Sequence, residues 1–164
     1  MNNDEAQVRG SHASHDRNNG GLTQRIIGVF YDVYNELGSG FQESIYREAM
    51  RLALRQADLQ VEAEVPIEVR FRSNVVGIFR ADLIVNDAVL IELKACDALA
   101  REHESQTLDY LRAANIEVAL LMNFGSTPRF KRLMMDNDLK KSAPGSVKSV
   151  SIGVKPPVPP KVPA

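Results

Sequence analysis

A single cysteine, Cys96, stands among the 164 residues, so no internal disulfide can close, and zinc or iron–sulfur sites built on several thiolates are excluded. Histidine is scarce as well. Two of the three, His12 and His15, sit in the polar N-terminal stretch, which leaves little basis for a poly-histidine metal centre. No uninterrupted apolar run approaches the roughly 18 residues needed to cross a bilayer, so membrane-spanning readings fall away. The opening MNNDEAQVRGSHASHDRNNGG has no apolar core and is not expected to act as a secretory signal. The cytoplasm is the expected location. An excess of one charge is also missing: the net charge of −1 argues against coating nucleic acid by bulk charge and leaves room only for a local basic surface. What remains, 44% hydrophobic and 25% charged residues, is ordinary globular usage.

Composition divides the chain into three parts. Beyond Met1, residues 1–21 carry only one apolar side chain larger than alanine, Val8, and read as a disordered tail. The segment 140–164 reads the same way, because from Ser142 onward it holds six of the eight prolines, three lysines and no acid. Its PPVPP stretch suits extended polyproline II, as a linker or a docking peptide. The folded domain is expected over residues 22–139. Within it, Thr23 can cap a helix whose apolar residues Ile26, Phe30, Val33 and Leu37 recur at helical spacing. After Gly38-Ser39-Gly40 a second helix should run from about Phe41 to Ala57. Val61, Ala63, Val65, Ile67, Val69 and Phe71 alternate with polar residues, as in a half-buried strand, and Pro66 on the polar side marks an edge. Strands near Val76 to Val85 and Val89 to Lys94, a helix near Ala98 to Ala114, and a buried strand from Val118 to Phe124 follow; Arg129 to Met135 is read as a last strand. The fold class is therefore α/β: a mixed sheet, a three-strand meander followed by a crossover helix, with helices packed on it.

The informative residues are charges that periodicity places among apolar neighbours. Glu92 and Lys94 share one face of a short strand, while Val89, Ile91 and Leu93 share the other. Alone, this reads as a structural Glu–Lys pair, since three-residue matches are common by chance. Asp82 sharpens the reading. A three-residue turn (Asn86, Asp87, Ala88) is the register that puts Leu83 opposite Ile91 and Val85 opposite Val89, and it also sets Asp82 opposite Glu92. Two neighbouring carboxylates repel, and an oxygen-seeking Mg²⁺ or Mn²⁺ relieves this, with Lys94 beside it. Glu43 falls in line with Tyr46, Met50 and Leu54 on the apolar stripe of the second helix. It is either a first-turn acid favourable to the helix dipole or a group leaning toward the metal. Gln106 and Tyr110 form an i, i+4 pair on the crossover helix, with His103 one turn earlier and without a partner at ligand spacing.

Together these elements resemble the GxxExxY proteins, a branch of the PD-(D/E)xK nuclease superfamily. Gly40-Phe41-Gln42-Glu43-Ser44-Ile45-Tyr46 carries the motif. Asp82, nine residues, then Glu92-Leu93-Lys94 carries the nuclease signature. Gln106-Thr107-Leu108-Asp109-Tyr110 is similar to the QxxxY element of RecB-like nucleases, and Asn123-Phe124-Gly125 to the family's fourth-strand ending. The family usually has a histidine after the valine of the first helix; here Tyr34 follows Val33. The resemblance implies a restriction-endonuclease-like core and a Mg²⁺-dependent (or Mn²⁺-dependent) nuclease acting on DNA ends or single strands. It also implies roles. Asp82, Glu92 and the Leu93 backbone carbonyl would ligate the metal, with Glu43 assisting; Lys94 would orient the attacking water; Gln106, Tyr46 and Tyr110 would steady the substrate or the site. Phosphates would fall to Arg47, Arg80, Arg101 or Lys131. A homodimer and a protein partner for the proline-rich tail stay open. The competing readings are an inactive nucleic-acid-binding or protein-interaction domain on the same fold, and a metal-dependent phosphohydrolase of small nucleotides.

Overall fold

The computed structural model describes residues 15–142, so the PPVPP stretch and most of both expected tails lie outside the described residues. Two helices come first, α1 (His15–Leu37) and α2 (Glu43–Gln56). The strands β1 (Val61–Phe71), β2 (Asn74–Val85) and β3 (Val89–Lys94) form the meander. Then come α3 (Arg101–Ala113), β4 (Val118–Asn123), β5 (Arg129–Met134) and a short α4 (Asn137–Ser142). The elements run past both expected boundaries of the domain. At the front, helix continues back to His15, so Thr23 is not a cap: it lies inside α1, buried, and its hydroxyl donates to the Gly20 carbonyl. At the back, the Lys140 ammonium donates to the Ala114 and Ile116 carbonyls, tying α4 to the end of α3.

The five strands lie in chain order, β1-β2-β3-β4-β5. Only β3 and β4 pair in parallel, joined through α3 as a crossover requires; the other pairs are antiparallel. Local chemistry makes the turns. Arg72 and Ser73 both have positive φ, which suits a two-residue hairpin. Asn86 and Asp87 also have positive φ, and the Ala88 N–H donates back to the Val85 carbonyl. Gly38, at φ +67°, ends α1 with its N–H on the Tyr34 carbonyl, a conformation that glycine adopts at little cost.

Helices cover both faces of the sheet. On one, α1 and α2 bury Ile26, Phe30, Tyr46, Met50 and Leu54 against Leu83, Val85, Ile91 and Leu120. On the other, Tyr110 and Leu111 of α3 pack with Val65, Ile67, Ala81, Ile84 and Leu90. The alternation expected along β1 breaks midway. Val61 faces the α1/α2 side, whereas Val65 and Ile67 face α3, and Ala63 is exposed. Residues 61 and 65 would share a face in a regular strand. The change falls at Glu64, which has φ +53°. In β2 the same change falls between Ala81 and Leu83, at Asp82.

Candidate active site

The candidate residues meet where the β2–β3 ladder stops. Its pairs are Leu83 with Ile91, Ile84 with Leu90 and Val85 with Val89, the register expected from a three-residue turn. One residue further, carboxylates replace the ladder. The Asp82 N–H donates to Glu92 Oε1 at 3.3 Å, and the Leu93 N–H donates to Asp82 Oδ2 at 2.8 Å. The two acids are thus brought together, each holding the other strand's backbone. Leu93 keeps its side chain in the core.

Electrostatics at this spot are unbalanced. Glu92 is 4% exposed, and its carboxyl is pushed up to about 8, first by burial and then by the negative charge of Asp82. The Asp82 amide and the Lys94 ammonium pull the other way, and Glu43 adds a smaller push upward. Arg47 of α2 neutralises part of the excess, with Nη1 3.1 Å from Asp82 Oδ1 and Nη2 3.4 Å from Glu64 Oε1.

Lys94 shares a face with Glu92 and is held from α3. Its Nζ donates to Gln106 Oε1 at 3.2 Å, and Gln106 Nε2 donates to the Tyr110 hydroxyl at 3.2 Å. The i, i+4 spacing is what lets one helix supply both groups. Burial raises the Tyr110 pKa, helped by the charges of Glu92 and Asp82, so the phenol stays protonated.

Other candidates fall elsewhere. Glu43 opens α2, at the solvent end of the stripe that Tyr46, Met50 and Leu54 bury. It does not lean inward: its side chain is exposed and hydrogen-bonds to no described residue, and only its field reaches Glu92. Tyr46 is fully buried and builds scaffold instead of touching the site. Its hydroxyl donates to the Gly38 carbonyl at 2.7 Å and accepts the Phe41 N–H at 3.2 Å, while its ring stacks on Phe124 at 4.1 Å. It fixes the glycine loop, where Gly40 has φ +107°, and through it the start of α2. Tyr34 stacks on Phe124 and donates to the Gly125 and Ser126 carbonyls, a packing role. His103 Nδ1 accepts the Ala100 N–H at the start of α3. Of the phosphate candidates, Arg80 reaches the Glu64 carbonyl and Lys131 pairs with Glu104.

Three residues take roles at the site that their sequence pattern does not assign. Arg47 was read as a phosphate contact, not as the partner of Asp82. Glu64 looked like any polar strand residue. Asn123 braces the chain leaving β3: its Oδ1 accepts the Cys96 N–H at 3.0 Å and its Nδ2 donates to the Cys96 carbonyl at 2.8 Å. Beside it, a Cβ on Gly125 would lie 2.4 Å from the Cys96 carbonyl oxygen, so the close approach needs glycine. The sequence signal for this brace is the Asn123-Phe124-Gly125 ending of β4.

Among the described residues, no three acidic, histidine or cysteine side chains converge as a complete metal cage. The donor set still fits a hard divalent ion. Two adjacent carboxylates, Glu92 raised in pKa first by burial and then by Asp82, are only partly offset by Arg47 and Lys94, and oxygen donors of this kind suit a hard divalent ion.

A family model of the PD-(D/E)XK nuclease superfamily matches residues 20–133, from α1 to β5. The chain belongs to that superfamily, and its five-stranded mixed sheet with flanking helices is the restriction-endonuclease-like fold. The superfamily is one of nucleases, which generally use divalent metals. A crystal structure of SSO0001 is similar, with a TM-score of 0.45 at 18% identity; the match covers 59% of this chain and 52% of that one. No curated protein matches this chain. No helix among the described residues is long and apolar enough to cross a membrane.

Proposed function

We propose that this protein hydrolyses phosphodiester bonds of DNA, at ends or in single strands, with a divalent ion, Mg²⁺ or Mn²⁺, as cofactor, and that it is of the GxxExxY branch. The observation that carries the reading is the Asp82–Glu92 pair, with Lys94 on the same face anchored by Gln106. Asp82, Glu92 and the Leu93 carbonyl would hold the ion. When bound, it supplies positive charge beside phosphorus and a nucleophile at neutral pH.

The protein's own groups do the rest. Gln106 takes one Lys94 proton into a hydrogen bond and leaves the other ammonium donors for the attacking water and a phosphate oxygen. Tyr110 holds Gln106 in turn. Glu43, exposed at the rim, is placed to attract cations and water rather than to be a primary ligand.

Incubation with linear, nicked and single-stranded DNA should give Mg²⁺-dependent cleavage by the wild type and a loss of at least about 100-fold in Lys94→Ala. Calorimetry should show Mn²⁺ binding that Asp82→Ala abolishes. A second reading, a binding domain without turnover, draws on the Arg47–Asp82 ion pair and the outward Glu43. It predicts equal DNA binding by wild type and Lys94→Ala with cleavage by neither.

A further inference from the structure

Next to the Lys94–Gln106–Tyr110 chain lies an open pocket of about 400 Å³, which the proposed hydrolysis touches only through Gln106 and Tyr110. One wall is aromatic: Phe79 of β2 stacks on Tyr110, with ring centroids 4.9 Å apart and planes inclined by 29°. Both rings line the pocket, Tyr110 nearly buried and Phe79 the more exposed of the two. The remaining lining comes from α3 and is polar, with Arg101, Ser105 and Gln106 as donors and Glu102 and Asp109 as acceptors. Arg101 faces Glu102 and an Asp109 already paired with Arg112, which makes a poor seat for a phosphate. A flat, neutral ring with donors and acceptors on its edge matches this lining: a π-face against Phe79 and edge contacts to the α3 side chains.

We propose that this pocket receives one unpaired nucleobase of the nucleic-acid strand whose phosphate lies at Lys94, an inference that rests on the nuclease reading. Continuity supports it, because Gln106 borders both the pocket and the Lys94 ammonium, so adjacent positions of one strand can fill both. A base stacked on Phe79 has left its duplex partner, so the pocket favours single strands or frayed ends over intact duplex. The Glu102 carboxylate, and the oxygen of Asp109 not taken by Arg112, favour bases with an exocyclic amino group over thymine.

The test uses the full chain and single-stranded oligonucleotides carrying 2-aminopurine at successive positions, with Ca²⁺ present for binding and Mg²⁺ for cleavage. The fluorescence of one position, beside the cleaved bond, should be quenched on binding. Phe79→Leu, which keeps apolar bulk but loses the flat ring, should abolish that quenching and weaken binding about tenfold. An abasic nucleotide at that position should weaken the wild type by the same factor and leave Phe79→Leu unchanged. Should Phe79→Leu fold poorly, the abasic strand on wild type decides alone, and undiminished binding overturns the proposal. So do quenching that survives in Phe79→Leu, duplex bound as tightly as single strand, or no binding of any strand. Mg²⁺-dependent cleavage indifferent to Phe79 would overturn the base site and leave the nuclease. Phe79-dependent quenching without cleavage would do the reverse.

Discussion

Glu92 is costly in the folded chain, and the cost has a measurable pH dependence. Unfolded, its carboxyl titrates near 4.5; folded, burial and Asp82 hold it at about 8. Below about 4.5 both states are protonated and the residue carries no penalty. Between the two values the folded state holds the extra proton, so stability declines as pH rises and levels off above about 8. At about 1.4 kcal/mol per unit, the ceiling is on the order of 5 kcal/mol. In urea melts with chelator, Glu92→Gln should therefore be more stable than wild type by a margin that grows from pH 5 to pH 8.5. Added Mn²⁺ should narrow that margin by stabilising only the wild type. A margin independent of pH would show that Glu92 is not the strained acid the geometry makes it. Asn123 bears the opposite sign. Its amide satisfies both polar groups of the Cys96 backbone, so Asn123→Ala should cost about 2–3 kcal/mol in the same melts.

A strand that changes faces needs a residue outside the β region, and β1 spends that conformation on Glu64. A left-handed non-glycine residue costs about 1–2 kcal/mol, and glycine in a strand costs about 0.5–1 kcal/mol. Glu64→Gly should consequently be close to neutral in thermal melts, although it loses the Arg47 contact. At exposed Glu62, in regular pairing with Ile84, the same change should destabilise by about 1 kcal/mol. Equal losses at the two positions would remove the argument for strain at Glu64. The same face change marks where the sequence stopped being legible. Order and type of β1 to β5 followed from alternation and turn residues, and the β2–β3 register followed from matching Leu83 with Ile91 and Val85 with Val89. Alternation assumes that every residue has extended dihedrals, so it cannot register a single left-handed one, and it placed Val61 and Val65 on one face. Helical spacing had a similar blind spot. It set Glu43 on the Tyr46–Met50–Leu54 stripe correctly, but the first residue of a helix lies beyond the layer that covers that stripe. The α4 helix went unread because its anchors are side-chain bonds from Lys140 to distant carbonyls, which no local pattern encodes.

For the molecule as a whole, a net charge of −1 means that no general field draws in a polyanion, and attraction has to come from a few cations. Lys131 is paired with Glu104, while Arg101 faces the pocket beside α3. Arg47 stands nearest the acids, on Asp82 and Glu64, so it acts on both ligands of the proposed reaction with opposite signs. Its guanidinium repels a cation arriving at Asp82 and competes for Oδ1, and it attracts a phosphate arriving at Lys94. Charge of this kind, partly screened by solvent, is worth about 1–2 kcal/mol, or roughly 5–30-fold. Arg47→Ala should therefore bind Mn²⁺ more tightly and DNA more weakly, and the dependence of log DNA affinity on log salt should flatten by roughly one unit. Titrations with each ligand separately would decide. If both affinities fell together, Arg47 would be a brace for the folded site and not a charge shared between metal and strand.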